Sequence, residues 1–225
     1  MQGDSVQRME GKKPFAGTLG GFVSNEENSD QKYALTCNHI FPTKNLRAYV
    51  DSNSSQPKEI GTCVFTTREE FRAIEMNETT ECDDTFRNEK GKNINACLYD
   101  GSIGNICYVH KFGAISGLTS GSVLSSEYYD KSTEEVNFLV AGEYGQSFSE
   151  QGDSGALAFS RPPEPKQNYV NIVGMVYGTY QKHDERSDDE EKEHISNKKD
   201  NKSCLLYTSP SPRDLSTSRM PSSAW

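Results

Sequence analysis

The chain has 225 residues and a formal net charge of −9, from 24 Lys and Arg against 33 Asp and Glu. That balance excludes nucleic acid as a natural partner, because binding phosphates needs clustered Lys and Arg, and no apolar run approaches the roughly 20 residues of a membrane-spanning helix. Hydrophobic residues make up only 33%, so some of the chain lies outside any core; 18 glycines, 10% aromatics and little helical periodicity point to an all-β protein of many short strands.

In chain order, Met1 to Pro14 is a polar segment without the apolar stretch of a signal peptide, so either the chain is not exported or its natural start lies upstream. Phe15 to Val23 reads as a glycine-rich strand able to bend, and Asn25 to Gln31 as a polar turn. Lys32 to Pro42 reads as a strand running into a loop, which places His39 at the strand end, fixed yet reachable. Met76 to Asn95 is charged and polar, and is expected to be a long surface loop. Lys111 to Val123, with Gly113, Gly117 and Gly121, predicts a tight hairpin with no catalytic role. Strands are expected at Val136–Ala141, Ala156–Ser160 and Val170–Tyr177, and the charge run His183 to Glu193 reads as a solvated segment.

Chemistry concentrates in Gln151-Gly152-Asp153-Ser154-Gly155. A serine between two glycines on a tight loop can present its Oγ to solvent, and glycine lets a substrate come close. The amides of Gly152 and Ser154 can then point into one pocket and stabilise the oxyanion that develops in acyl transfer. A hydrolase nucleophile elbow needs a helix after the serine. Here a strand is expected instead, so that alternative does not fit.

Leu35-Thr36-Cys37-Asn38-His39 resembles the Leu-Thr-Ala-Ala-His block of chymotrypsin-like (trypsin-fold) serine peptidases, and Gln151 to Gly155 is identical to that family's nucleophile block. Histidine precedes serine by 115 positions. The resemblance implies two antiparallel six-stranded-type β-barrels, with His39 as general base, Ser154 as nucleophile, and Gly152 and Ser154 forming the oxyanion hole. The triad acid should fall in a block shaped Asp-apolar-Ala-apolar-Ile. Glu70-Phe71-Arg72-Ala73-Ile74 matches best, with glutamate for aspartate and Arg72 where a small buried residue is expected. Glu69, Glu75, Asp83 and Asp84 are rival acids, and Arg72 fits either reduced activity or the solvent face of a strand. The resemblance also implies that Val176, Tyr177 and Gly178 line the primary specificity pocket and hydrogen-bond the substrate backbone, with the pocket floor near Ser147 or Phe148. No Asp stands there, which argues against trypsin-type specificity. Asp153 should require an internal amine or hydrogen-bond partner in place of a cleaved N-terminus. A peptidase of this kind acts on peptide or protein substrates and needs no cofactor or metal. His110, His183 and His194 share no metal-ligand spacing and read as surface residues. A catalytically impaired relative that binds peptides is the alternative function.

The last 22 residues follow different rules. Cys204 to Asp214 resembles one reading frame of a DNA adapter used in transposase-based sequencing libraries, and Ser218 to Ala224 the far end of the same adapter. The expected organisation is therefore a polar segment 1–14, a first barrel 15–100, a second barrel 101–203 with an acidic loop 183–202, and an artefactual disordered tail 204–225, leaving the second barrel truncated at its C-terminus. Cys37, Cys63, Cys82, Cys97 and Cys107 remain, and Ile40 occupies the place after His39 where the resemblance would put a disulfide partner. That points to reduced thiols and a cytoplasmic protein.

Overall fold

A computed structural model describes residues 2–10, 13–24, 30–51, 56–66, 71–83, 85–130, 135–162, 168–180 and 203–207. Among them the first sheet contains β1 (Ser5–Glu10), β2 (Lys13–Thr18), β3 (Gly21–Ser24), β4 (Lys32–Cys37), β5 (Arg47–Val50), β6 (Lys58–Thr66) and β7 (Phe71–Met76), in the spatial order β2-β1-β5-β6-β7-β4-β3. All of its pairings are antiparallel. The second sheet contains β8 (Phe86–Arg87), β9 (Asn93–Leu98), β10 (Tyr108–Gly113), β11 (Gly117–Asp130), β12 (Glu135–Gly142), β13 (Leu157–Ser160), β14 (Tyr169–Tyr180) and β15 (Ser203–Tyr207). Its order is β13-β10-β11-β12-β15-β14, and β14 pairs back onto β13, so those six strands close on themselves. Closure removes the free edges that an open sheet would present. The architecture is the chymotrypsin-like double β-barrel, all-β as expected, with one 3-10 turn at Ile103–Asn105 among the described residues.

Strand pleating decides what faces inward, since side chains alternate between faces. On β7, Arg72, Ile74 and Met76 are buried while Phe71, Ala73 and Glu75 are half-buried. On β10, Val109, Lys111 and Gly113 are buried. Two cations thus point inward, each at a position whose neighbours on the same face are core residues. One core cluster runs from Val6 and Ile74 of the first sheet and Phe41 of the loop after β4 to Phe159 and Met175 of the second sheet, while another gathers Val109, Phe138, Val140 and Phe148 inside the second barrel. Apolar packing is therefore continuous across the junction of the barrels.

Several boundaries move relative to the sequence reading. The first sheet begins at Ser5 inside the polar segment, because Val6 alternates with polar residues and is fully buried. The expected loop Met76 to Asn95 contains β8 and the start of β9, and β9 pairs in parallel with β14. Phe86 anchors this stretch against the core, packed edge-on to Phe159 at 5.1 Å. Phe15 to Val23 is two strands, broken at Leu19 and Gly20. Residues 204–207 were expected outside the fold, yet β15 lies between β12 and β14, with Leu206 opposite both Phe138 and Val176. The apolar run Cys204-Leu205-Leu206-Tyr207 supplies strand-forming residues at the position where those two strands need a partner. The acidic loop 183–202 and residues 208–225 lie outside the described residues.

Candidate active site

A cleft of about 520 Å³ opens at the junction of the two barrels. His39, Ile40 and Phe15 reach it from the first, and Ser149, Gly152 and Ser154 from the second. His39 sits in the turn that follows β4 and is exposed; Ser154 is half-buried in the loop before β13. The structure brings these two predicted residues to one cavity, and Ser154 Oγ has no hydrogen-bond partner among the described residues. Catalytic hydrogen bonds in unliganded sites are often long and tighten only around substrate.

The Ser154 loop is held from three sides. Gly152 and Gly155 take φ values of +104° and +98°, in the left-handed region that disfavours side chains. A Cβ on Gly155 would also collide with the Thr18 carbonyl and the Thr36 hydroxyl, so the loop lies flat on the first sheet. Thr18, fully buried, ties it down: its amide donates to the Ser154 carbonyl at 2.7 Å and its hydroxyl donates to the Gly152 carbonyl at 2.9 Å. That hydroxyl accepts from the Ala114 amide, and the Thr18 carbonyl accepts from Thr36. The Gly155 amide donates to the Val176 carbonyl at 2.8 Å. Among the described residues the Gly152 and Ser154 amides have no partner, which leaves two donors for an oxyanion.

The third support is a buried ion pair. Lys111 Nζ lies 3.0 Å from Asp153 Oδ2, and both side chains are fully buried. Asp153 also accepts hydrogen bonds from the Ile115 and Ser116 amides, the Ser116 hydroxyl and the Glu150 amide. Burial by itself would raise the Asp153 carboxyl pKa, but the Ser116 hydroxyl, the Glu150 amide and the Lys111 ammonium outweigh it and hold the pKa below the ordinary carboxylate value. Lys111 supplies the internal amine that the sequence reading required. The hairpin Lys111 to Val123, read as a turn with no catalytic role, supports the Ser154 loop through these contacts. The signal in the sequence was a lone cation at an inward position of an alternating strand.

Around His39 the arrangement is different. Arg72 is buried and donates from Nε to the Phe41 carbonyl at 2.8 Å, from Nη1 to the Phe71 carbonyl at 2.9 Å, and from Nη2 to Asn38 Oδ1. It is not on a solvent face. Arg8 Nε donates to the Ile40 carbonyl at 2.6 Å. Cys37 Sγ lies 3.4 Å from His39 Nδ1.

Glu69, Glu70 and Asp84 lie outside the described residues, and β7 begins at Phe71, opposite Cys37. Asp83 is exposed and engaged with Thr85 at 2.6 Å through its hydroxyl and 3.0 Å through its amide, which lowers its pKa. Glu75 lies four residues along β7 from Phe71, about 13 Å at the usual strand rise.

Val176 and Gly178 line the cleft, but Val176 has its amide committed to the Ala156 carbonyl and its carbonyl to Gly155. It can form a wall and has no amide to offer a peptide. Ser149 lines the cleft, where the sequence reading put Ser147 or Phe148; Phe148 is fully buried in the core behind it. His110 is half-buried and not a surface residue: it shares a 2.8 Å hydrogen bond with Ser120, lies 5.4 Å from the Phe159 ring, and has its pKa lowered by burial. Among the described residues no three His, Cys, Asp or Glu side chains cluster as metal ligands, and no helix is long and apolar enough to cross a membrane. Cys97 and Cys107 are exposed free thiols.

Neither a protein-family model nor a curated protein matches the chain. Solved structures do resemble it. Thermobifida fusca protease A shares 13% identity over 92% of this chain and 90% of that one, with a TM-score of 0.58. A glutamic acid specific serine protease shares 15% over 96% of each chain at a TM-score of 0.58. Cellulomonas bogoriensis chymotrypsin shares 12% over 96% of this chain and 94% of that one at 0.57. At such identities the likeness is one of fold, and the fold it establishes is that of the chymotrypsin-like serine proteases.

Proposed function

We propose that the chain is a serine endopeptidase that hydrolyses peptide bonds through an acyl-enzyme on Ser154. The observation that carries this reading is the shared cleft, which His39 enters from one barrel and Ser154 from the other, beside two amides without partners among the described residues. In this mechanism His39 removes the Ser154 hydroxyl proton as Oγ attacks the scissile carbonyl. The tetrahedral oxyanion is held by the Gly152 and Ser154 amides, and His39 then protonates the leaving amine. Water enters and reverses the sequence to free the acid product. Glu70 is the triad acid: it is bonded to Phe71, which enters β7 opposite Cys37, two residues from His39. Peptide or protein chains are the substrates, consistent with the proteases that share the fold, and Tyr177 and Gly178 flank the bound peptide.

A second reading, a catalytically impaired peptide-binding relative, draws on the Cys37 thiol at His39 Nδ1, the nitrogen a triad acid would engage. A fluorophosphonate probe separates the two. The peptidase reading expects stoichiometric labelling at Ser154, lost in Ser154→Ala; no labelling of the wild type would establish the second reading. Glu70→Gln should slow labelling far more than Asp83→Asn, and the reverse order would move the acid to the loop around Asp83.

A further inference from the structure

The two arginines beneath the His39 turn stand outside the triad, and the family pattern expects a small residue where Arg72 stands. We infer that Arg72 is a positioning residue that sets the place of the His39 imidazole; the inference rests on the peptidase reading for its consequence and on geometry for its cause.

A histidine just past the end of a strand is placed in part by its flanking peptide units, and here the Cys37 thiol also lies at its Nδ1. In this turn the link back to β4 is a long bond from the Ile40 amide to the Cys37 carbonyl at 3.3 Å. Arg72 compensates from inside. Its Nε and Nη2 hold the Phe41 carbonyl and the Asn38 side chain, which bracket His39 in sequence, while Nη1 holds the Phe71 carbonyl at the head of β7. One rigid, planar group therefore joins both flanks of the histidine to the strand where the acid block begins. Lysine could not do this, since its single ammonium lacks a fork that spans three divergent acceptors. Arg8 adds a fourth hold at the Ile40 carbonyl, and its guanidinium stacks 4.2 Å over the Phe15 ring at the cleft wall. Burial makes the geometry strict: a charge out of water keeps its hydrogen bonds, because an unmade one costs the full desolvation of that group.

A displacement of about 1 Å in a reacting group can cost about 10²-fold in rate. The test uses the full chain with 13C-labelled histidine, in wild type, Arg72→Gln, Asn38→Ala, and Arg47→Gln as an exposed-arginine control. Fluorophosphonate labelling is resolved into binding and inactivation steps, and His39 ring signals are assigned with His39→Gln. Arg72→Gln should slow inactivation about 10²-fold with binding within twofold, and Asn38→Ala should slow it by a smaller factor. In both, the His39 ring signals should split or broaden while those of the control match wild type. If Arg72→Gln fails to fold, Asn38→Ala decides, since it removes one hold without burying an unpaired charge. Inactivation within threefold of wild type, or unchanged His39 ring signals whatever the rate, overturns the inference. If wild type is not labelled, the peptidase reading falls and the ring signals alone decide the positioning role.

Discussion

Ser154 stands on a loop whose neighbour Asp153 is fully buried and receives five donors from Lys111, Ile115, Ser116 and Glu150. His39 stands on an exposed turn whose fixed points are carbonyls and an amide side chain held by guanidinium groups from below. The Ser154 loop is thus secured by charge neutralised inside a barrel, and the His39 turn by hydrogen bonds that reach up from a core to a rim. The first kind of support is all-or-none, because an unpaired buried charge is untenable. The second is graded, since each hydrogen bond can be lost separately.

The largest expected effect tests that all-or-none character. Lys111→Met should leave Asp153 buried without its cation and destabilise the fold by about 3–5 kcal/mol in urea unfolding. Fluorophosphonate labelling should fall with it. A loss no greater than that of an exposed ion pair would remove the contrast between the two regions. Next, Thr18→Val removes the hydroxyl that links the Gly152 carbonyl and the Ala114 amide, and should cost about 1–3 kcal/mol. Labelling of Ser154 should slow, because the loop loses one of its attachments to the first sheet.

A pH series sharpens the comparison. The folded-state pKa of His110 lies below its ordinary value of 6.5, so below that pH the unfolded chain binds a proton that the folded chain refuses. Stability should be intact above pH about 6.5 and begin to fall beneath it. Asp153 is also depressed in the fold, below 3.8, so its contribution is present above the ordinary carboxylate pKa and is lost as pH falls through it. Unfolding midpoints from pH 8 to 3 should therefore drop in two stages, and His110→Gln should abolish the upper one. Survival of the upper stage in that variant would assign it to another group. The smallest effect is expected from Arg47→Gln, which breaks an exposed 3.1 Å pair with Glu59 and should leave the unfolding midpoint and the labelling rate unchanged.

The motif residues were legible because their spacing and local chemistry are written in short stretches. Gln151 to Gly155 needs glycine on both sides of the serine, and the φ values of Gly152 and Gly155 show why. Strands β4, β12, β13 and β14 followed from apolar runs bounded by polar residues. β8 and β9 were missed because Phe86 and Ile94 stand in a charged stretch, and pairing rather than propensity makes them strands: β9 on β14, and β8 on β9. β15 was missed because an adapter-like sequence was set aside before its apolar run was weighed.

The sequence by itself determined an all-β chain, a serine on a glycine-flanked loop and a histidine at the end of a strand. Those are local matters of backbone freedom and side-chain type. Only the tertiary structure decided that Lys111 neutralises Asp153, that Thr18 joins the Ser154 loop to the first sheet, and that Arg72 turns inward to hold the His39 turn. Each depends on which strands lie side by side and which face of the pleat points in, and a buried charge finds its partner only after the chain has closed around it.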